Sequence, residues 1–180
     1  GRPSRKCFAE ALAAFAALRE QAPEAVLYLH TRLEEPEGEN LVALCEFFKV
    51  RPLTSDPYEL ALGTPSSHVA LLMNAFDVLL NPSAGDGFGI PLVEAQACGT
   101  PCVTTDFSAM PEVAPVEGDG RPANWAVTGQ GTWTAFESCQ VTPSVEHLVE
   151  ALLEAYREPT RQRLARRRRV ARWALREYPV

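Results

Sequence analysis

Apolar positions run along this chain in two alternating rhythms. Across Phe8–Arg19 they fall at Phe8, Leu12, Phe15 and Leu18 in an alanine-rich stretch. That is the spacing of one helix face, and Pro23 closes it. Ala25-Val-Leu-Tyr-Leu-His30 follows as a short continuous apolar run, which predicts a buried strand. A loop is expected over 34–40, a short amphipathic helix over 41–50, and a strand reaching Leu53. The stretch 54–65 is rich in Pro, Asp and Gly and predicts a loop. Ser66 or Ser67 is placed to cap a helix running to Phe76, and Asp77-Val-Leu-Leu80 predicts the next strand. A helix is expected over 91–98, stopped by Gly99, and then a strand at Cys102-Val-Thr-Thr105. No regular element is predicted over 118–131; helices are expected over 144–156 and 161–177, and no internal repeat is visible. Helices and short apolar strands alternate through the first hundred residues. That order predicts an α/β fold, a parallel sheet with helices on both faces. Ligands of such sheets bind beyond the carboxyl ends of the strands, and the segment after Leu80 leaves such an end.

The chemistry concentrates there. Residues 81–101 read Asn-Pro-Ser-Ala-Gly-Asp-Gly-Phe-Gly-Ile-Pro-Leu-Val-Glu-Ala-Gln-Ala-Cys-Gly-Thr-Pro. Gly85, Gly87 and Gly89 precede Pro91, which suits a first helical turn because its missing N–H would be unpaired there anyway. A strand, a glycine-rich loop and a helix start are the parts of a phosphate site: glycines let backbone N–H groups approach an anion, and the helix N-terminus supplies partial positive charge. Asp86 and Glu94 add two carboxylates to that loop and helix. A carboxylate accepts hydrogen bonds from a vicinal diol with both oxygens, so sugar hydroxyls are the expected second partner.

Composition narrows the class. At 180 residues, with 46% hydrophobic and 22% charged positions, the chain suits one soluble globular domain. A net charge of −6 argues against a general nucleic-acid binder. The charge is uneven, because Arg161, Arg163, Arg166, Arg167, Arg168, Arg169, Arg172 and Arg176 crowd the C-terminus. No apolar run approaches a membrane span. The first residues show no secretory pattern and no initiator Met, so an excised fragment is expected. Cys7, Cys45, Cys98, Cys102 and Cys139 form no CxxC pair, which predicts reduced thiols in a cytoplasmic protein. No Asp/His cluster has metal-ligand spacing.

The segment 76–113 resembles the donor-binding region of glycosyltransferase family four, the retaining GT-B enzymes. Their run is close to E-G-F-G-L-P-x-x-E-A-x-A-x-G-x-P. Here it stands as Asp86-Gly-Phe-Gly-Ile-Pro-Leu-Val-Glu94-Ala-Gln-Ala-Cys-Gly-Thr-Pro101, departing at the first acid. Gly1-Arg2-Pro3-Ser4-Arg5-Lys6 resembles the basic turn after the first strand of that domain. Tyr28-Leu-His-Thr31 and Phe107-Ser-Ala-Met-Pro-Glu112 are similar to one subgroup, and the likeness is diffuse after Val116. The resemblance implies a Rossmann-like domain, the C-terminal half of a GT-B fold, whose first strand would precede Gly1 and whose N-terminal acceptor-binding domain is absent. The expected organisation is a donor-binding domain over 1–158 and a basic helix over 159–180.

The resemblance also implies roles. Glu94 would hold the ribose hydroxyls and Asp86 the transferred sugar, the latter with about 1.5 Å less reach than Glu. Gly87, Phe88, Gly89 and Ile90 would offer backbone N–H groups to the diphosphate and sugar. Lys6 would neutralise charge as the leaving group departs, helped by Arg2 or Arg5. No metal and no cofactor are expected. His30 reads as a structural residue and Glu112 as a brace for a turn. The basic helix has three readings, packing on this domain, docking on the missing domain, or lying on anionic membrane at the inner face, and docking is preferred to the membrane. The function implied is transfer of a sugar from a nucleoside diphosphate sugar to an acceptor hydroxyl, with this chain alone inactive. The competing reading is a non-catalytic module that binds a nucleotide sugar or a protein.

Overall fold

The structure is a computed structural model and describes residues 5–34, 39–118, 120–135 and 137–179. Helix α1 (Phe8–Arg19) leads to strand β1 (Tyr28–Leu29). Helix α2 (Leu41–Phe48) follows, its first turn closed by the Asn40 side chain, which accepts the Ala43 N–H at 3.0 Å. Strand β2 (Leu53–Thr54) pairs in parallel with β1. The expected 54–65 loop instead contains helix α3 (Pro57–Leu62). Asp56 caps it, accepting the Tyr58 and Glu59 N–H groups at 2.7 and 3.3 Å, and Pro57 sits in the first turn where it costs no hydrogen bond. Helix α4 (Ser66–Ala75) has Pro65 at its N-cap, so neither Ser66 nor Ser67 caps it as the sequence suggested.

Strand β3 (Leu79–Asn81), helix α5 (Ile90–Ala97), strand β4 (Cys102–Thr105) and the short helix α6 (Met110–Val113) come next. The 118–131 region, expected to be irregular, is ordered into strands. A small hairpin, β5 (Glu117–Gly118) with β6 (Arg121–Pro122), precedes β7 (Trp125–Val127). A second hairpin, β8 (Gly129–Trp133) with β9 (Cys139–Pro143), precedes helices α7 (Val145–Arg157) and α8 (Thr160–Glu177).

The main sheet is parallel, in the order β3-β4-β7. All four residues of β4 are buried, as a strand covered on both faces must be. The strand alternation sorts two cores. Val103, with Leu80, Trp125 and Val127, packs under α1 and α7 against Leu12, Phe15, Leu148 and Leu152. Cys102 and Leu79 point the other way, against Leu92 and Ala95 of α5 and Met110 and Val113 of α6. A buried polar network pins α5 in place. Gln96 donates to the carbonyls of Leu92 and Val113, both at 2.9 Å. Asn124 donates to Gln96 at 2.8 Å and accepts the Cys102 N–H at 2.8 Å. The architecture is the expected α/β one, with helices on both faces of a parallel sheet.

Two expected strands are shorter than their apolar runs. The run 25–30 pairs only over Tyr28–Leu29, and 77–80 gives way to Leu79–Asn81. Each of these strands has a neighbour on one edge alone among the described residues. All five cysteines are free thiols, with Cys7, Cys45 and Cys102 buried. Burial pushes the Cys7 thiol up to about 12 and raises that of Cys102 as well. No described helix is long and apolar enough to cross a membrane.

Candidate donor site

The loop between β3 and α5 leaves the carboxyl end of the main sheet, and several distant segments hold it. Ala84 donates its N–H to the Arg5 carbonyl at 2.7 Å and accepts the Val141 N–H at 2.9 Å. The Ser83 hydroxyl, fully buried, donates to the carbonyls of Arg5 and Gly85 at 3.0 and 3.2 Å. Ser108 donates to the Asp86 carbonyl at 2.7 Å from a left-handed backbone, φ 60°. The loop is therefore tied to the N-terminal segment, to β9 and to the turn before α6.

Within this frame the charged residues converge. Lys6 Nζ lies 3.0 Å from Asp86 Oδ2, and Arg5 Nη1 lies 3.2 Å from the same oxygen. Arg5 Nη1 also donates to the Gly85 carbonyl at 3.1 Å. Burial pushes the Asp86 carboxyl up, but Lys6 and then Arg5 outweigh it and hold the group below its ordinary value. Asp86 is thus a carboxylate at neutral pH, with its side chain only 15% exposed.

Gly87, Phe88 and Ile90 are exposed at the loop's rim. Gly89 is the N-cap of α5 at φ 86°, a left-handed conformation that an L side chain enters at a cost. A Cβ there would also lie 3.0 Å from Leu92 Cδ1. Pro91 falls in the first turn as the sequence suggested, and the helix starts one residue earlier than expected. Phe88 is braced from behind, its ring meeting Tyr178 edge-on at 5.5 Å between centroids. Glu94 is exposed on the second turn of α5.

Of the residues singled out from sequence, Lys6, Arg5, Asp86 and the glycine loop come together, and Glu94 stands on the helix that the loop begins. Arg2 lies outside the described residues. His30 is held by a neighbour, its Nδ1 2.8 Å from Ser55 Oγ, and Tyr28 hydrogen-bonds the same hydroxyl. Ser83 and Ser108 were not anticipated. Both act through loop geometry; Ser83 lies in the 81–101 stretch and Ser108 in the 107–112 segment, but neither was given a role from sequence. Among the described residues no three His, Cys, Asp or Glu side chains are grouped to hold a metal ion.

Residues 1–157 match the family described as "Glycosyl transferases group 1". The chain belongs to that family. Among its curated relatives is the MMP alpha-(1->4)-mannosyltransferase of Mycolicibacterium hassiacum, 34% identical over 93 residues. That match covers 52% of this chain and 21% of the relative. The D-inositol 3-phosphate glycosyltransferase of Mycolicibacterium gilvum is 34% identical over 104 residues, 49% of this chain and 23% of the relative. The group 1 chain therefore matches less than a quarter of the length of these relatives. Its fold recurs in WaaG, a glycosyltransferase involved in lipopolysaccharide biosynthesis, with a TM-score of 0.67 at 22% identity over 97% of this chain and 40% of that one. A UDP-forming trehalose-phosphate synthase from Burkholderia xenovorans gives 0.64 at 16%, over 98% and 39%. These likenesses establish the fold of this group 1 domain as one half of a GT-B glycosyltransferase, the C-terminal half that the sequence suggested.

Proposed function

We propose that this domain binds the nucleoside diphosphate sugar from which a longer, retaining glycosyltransferase transfers sugar to an acceptor hydroxyl. The observation that carries the reading is the convergence of Arg5, Lys6 and Asp86 on the glycine loop at the start of α5. Two cations and a helix N-terminus can take the charge of a diphosphate. Asp86, already ionised in that cluster, is available to accept from the hydroxyls of the attached sugar. Glu94, exposed further along α5, is left for the ribose diol. As the sugar departs, negative charge grows on the diphosphate, and Lys6 and Arg5 are positioned to stabilise it. Transfer requires the acceptor side as well, which is why the isolated chain is expected to bind donor without turning it over. The retaining outcome rests on the likeness of the 86–101 motif to retaining enzymes.

The test is calorimetric titration of the longer protein with UDP, GDP and ADP, followed by transfer assays. One nucleotide is expected to bind, and Glu94→Ala to weaken it about tenfold, a loss of about 1.4 kcal/mol. Lys6→Ala should weaken the diphosphate but not the nucleoside alone. Asp86→Asn should leave nucleotide affinity intact or raise it, since a negative charge leaves the cluster, while transfer falls roughly 100-fold or more. A folded protein that binds none of the three nucleotides, or whose Glu94 and Lys6 variants bind like the wild type, sinks the proposal. Binding with no transfer to any acceptor would instead favour the non-catalytic module.

A further inference from the structure

The carboxyl end of the main sheet carries more than the glycine loop. β7 ends there at Val127, and the β8–β9 hairpin rises from it. β9 packs against β4, and its Val141 N–H donates to the Ala84 carbonyl at 2.9 Å. The hairpin is therefore tied to the loop that carries Asp86. Because the Val141 N–H points away from β8, Gly131 opposite it belongs to a wide pair, and the Gly131 N–H and carbonyl face the other edge of β8. That edge has no strand beside it among the described residues. Trp133 stands two residues further out, about 7 Å along β8 and on the same face as Gly131. It is 75% exposed, although tryptophan ordinarily hides most of its surface. The two glycines of β8 differ. A Cβ at Gly129 would run into the Thr142 carbonyl, so the fold requires that glycine. At Gly131 a Cβ would meet only Cys139 Sγ, at 3.8 Å, an ordinary contact, and the backbone there is not left-handed. Glycine weakens a strand, and where packing does not require it, it marks a close approach by something else. The result is a bare shelf beside an exposed indole, edged by backbone hydrogen-bonding groups.

We propose that this shelf holds the acceptor, and that the acceptor is a neutral saccharide. The inference rests on the donor reading of the glycine loop, to which the Val141–Ala84 bond ties the hairpin. The C–H groups on one side of a sugar ring carry partial positive charge and suit the electron-rich face of an indole. The sugar's hydroxyls need uncharged donors and acceptors, which the free edge of β8 supplies at Gly131. Residues 129–143 include no Lys, Arg or His, and their single acid, Glu137, stands in the turn. Nothing on the hairpin therefore pairs with a phosphorylated acceptor. An acyl chain would cover the indole but leave the edge groups of Gly131 without partners. A second copy adding a strand to β8 is the competing occupant, since a free edge is a template for pairing. Against it, β8 is five residues long with glycine at alternate positions, so it offers a partner strand few side-chain contacts. In transfer, an oxygen of the held saccharide bonds the anomeric carbon of the donor sugar. The bond from that carbon to the diphosphate breaks, and the hydroxyl proton leaves with the diphosphate.

Binding and transfer assays on the longer protein test it, with maltose, cellobiose, lactose and mannobiose as probes. Saturation-transfer NMR on the nucleotide-loaded protein is expected to show at least one of them held through its ring C–H protons. Trp133→Ala should abolish that signal and Trp133→Tyr should keep it. Gly131→Val, which covers the shelf and leaves the indole in place, should abolish it as well. With the bound sugar as acceptor, Trp133→Ala should raise KM about tenfold or more and change kcat by less than about threefold. Nucleotide affinity and Tm should match the wild type in all three variants, because the substituted positions are exposed. If nucleotide binds the wild type but no probe gives a signal, or the signal survives in Trp133→Ala, the shelf is not the acceptor site. A dimer in solution that dissociates in Gly131→Val also overturns the proposal, because a second copy then covers β8. A wild type that binds no nucleotide instead removes the donor reading, and the acceptor reading with it.

Discussion

Asp86 sits under opposing influences, and its pH behaviour follows from which prevails. Desolvation raises its carboxyl, and Lys6 and Arg5 bring it below 3.8, the ordinary value. A folded-state value below the unfolded one means that the ion pairs stabilise the fold fully above the unfolded value. That contribution disappears as pH falls through the folded value. Lys6 and Arg5 are partly solvated, so the gain is modest, about 0.5–1 kcal/mol. Urea midpoints of the wild type and Asp86→Asn should therefore differ at pH 7 and draw together at pH 3. A gap that stays constant between the two would show that Asp86 acts through packing rather than charge. The partners in this cluster lie eighty residues apart in sequence. No periodicity connects them, and only the resemblance brought Lys6 and Asp86 to one site. Glu94 and the glycine loop were legible because the signal is local, a strand end, three glycines and a helix start. The bracing by Ser83 and Ser108 was not, because a hydroxyl's role depends on where the folded loop turns.

At the scale of elements, legibility followed burial in part, since α4 was expected although it has no buried residue. Helices with an inward stripe, such as Phe8–Arg19, emerged at their observed bounds because the 3.6-residue period records the buried face. α3 has no buried residue and so leaves no stripe, although Asp56-Pro57 was a readable cap. β8 is exposed along its whole length and shows no alternation. The arginine run of α8 is a subtler case, since composition does not say which guanidinium turns inward. Spacing does: Arg166 shares a face with Val170 and Ala174, and all three are buried. Arg166 Nε donates to Glu158 at 3.0 and 3.1 Å, and its guanidinium lies 4.1 Å from the centroid of the Trp125 ring. It therefore joins the α7–α8 corner to β7. Removing it strands a Glu158 side chain that is only 9% exposed. Arg166→Ala is expected to cost about 3–5 kcal/mol, and adding Glu158→Leu to an Arg166→Met background to recover most of that. Chemical denaturation of the three proteins checks this. A single-variant loss below about 1 kcal/mol would assign Arg166 to the solvated surface instead.

For the whole molecule, the open question from sequence was whether the basic helix belongs to this domain, to another one, or to a membrane. The packing gives it a place here. Arg167 donates to the carbonyls of Phe76 and Asn74 at 2.6 and 3.0 Å, closing the end of α4. Arg163 pairs with Asp77 at 3.3 Å. Gly99, just past α5, comes so close that a Cβ would lie 3.3 Å from the Arg167 carbonyl oxygen. Val170 and Ala174 are removed from water, and Tyr178 reaches the rim of the glycine loop at Phe88. Burying a side chain such as Val170 stabilises by about 1.5–3 kcal/mol, and Arg167 adds donors to the Asn74 and Phe76 carbonyls at the end of α4, the second of which it shares with the Thr100 hydroxyl. Deleting 160–180 should therefore do more than shorten the protein. A lowered Tm is expected, together with faster amide exchange in α4 and α5 and weaker nucleotide binding, because Phe88 loses its support. A helix that served only a membrane or a second domain would leave the melting of this domain and the proposed nucleotide binding as they were. Melting and titration of the truncated and complete proteins side by side decide between the two.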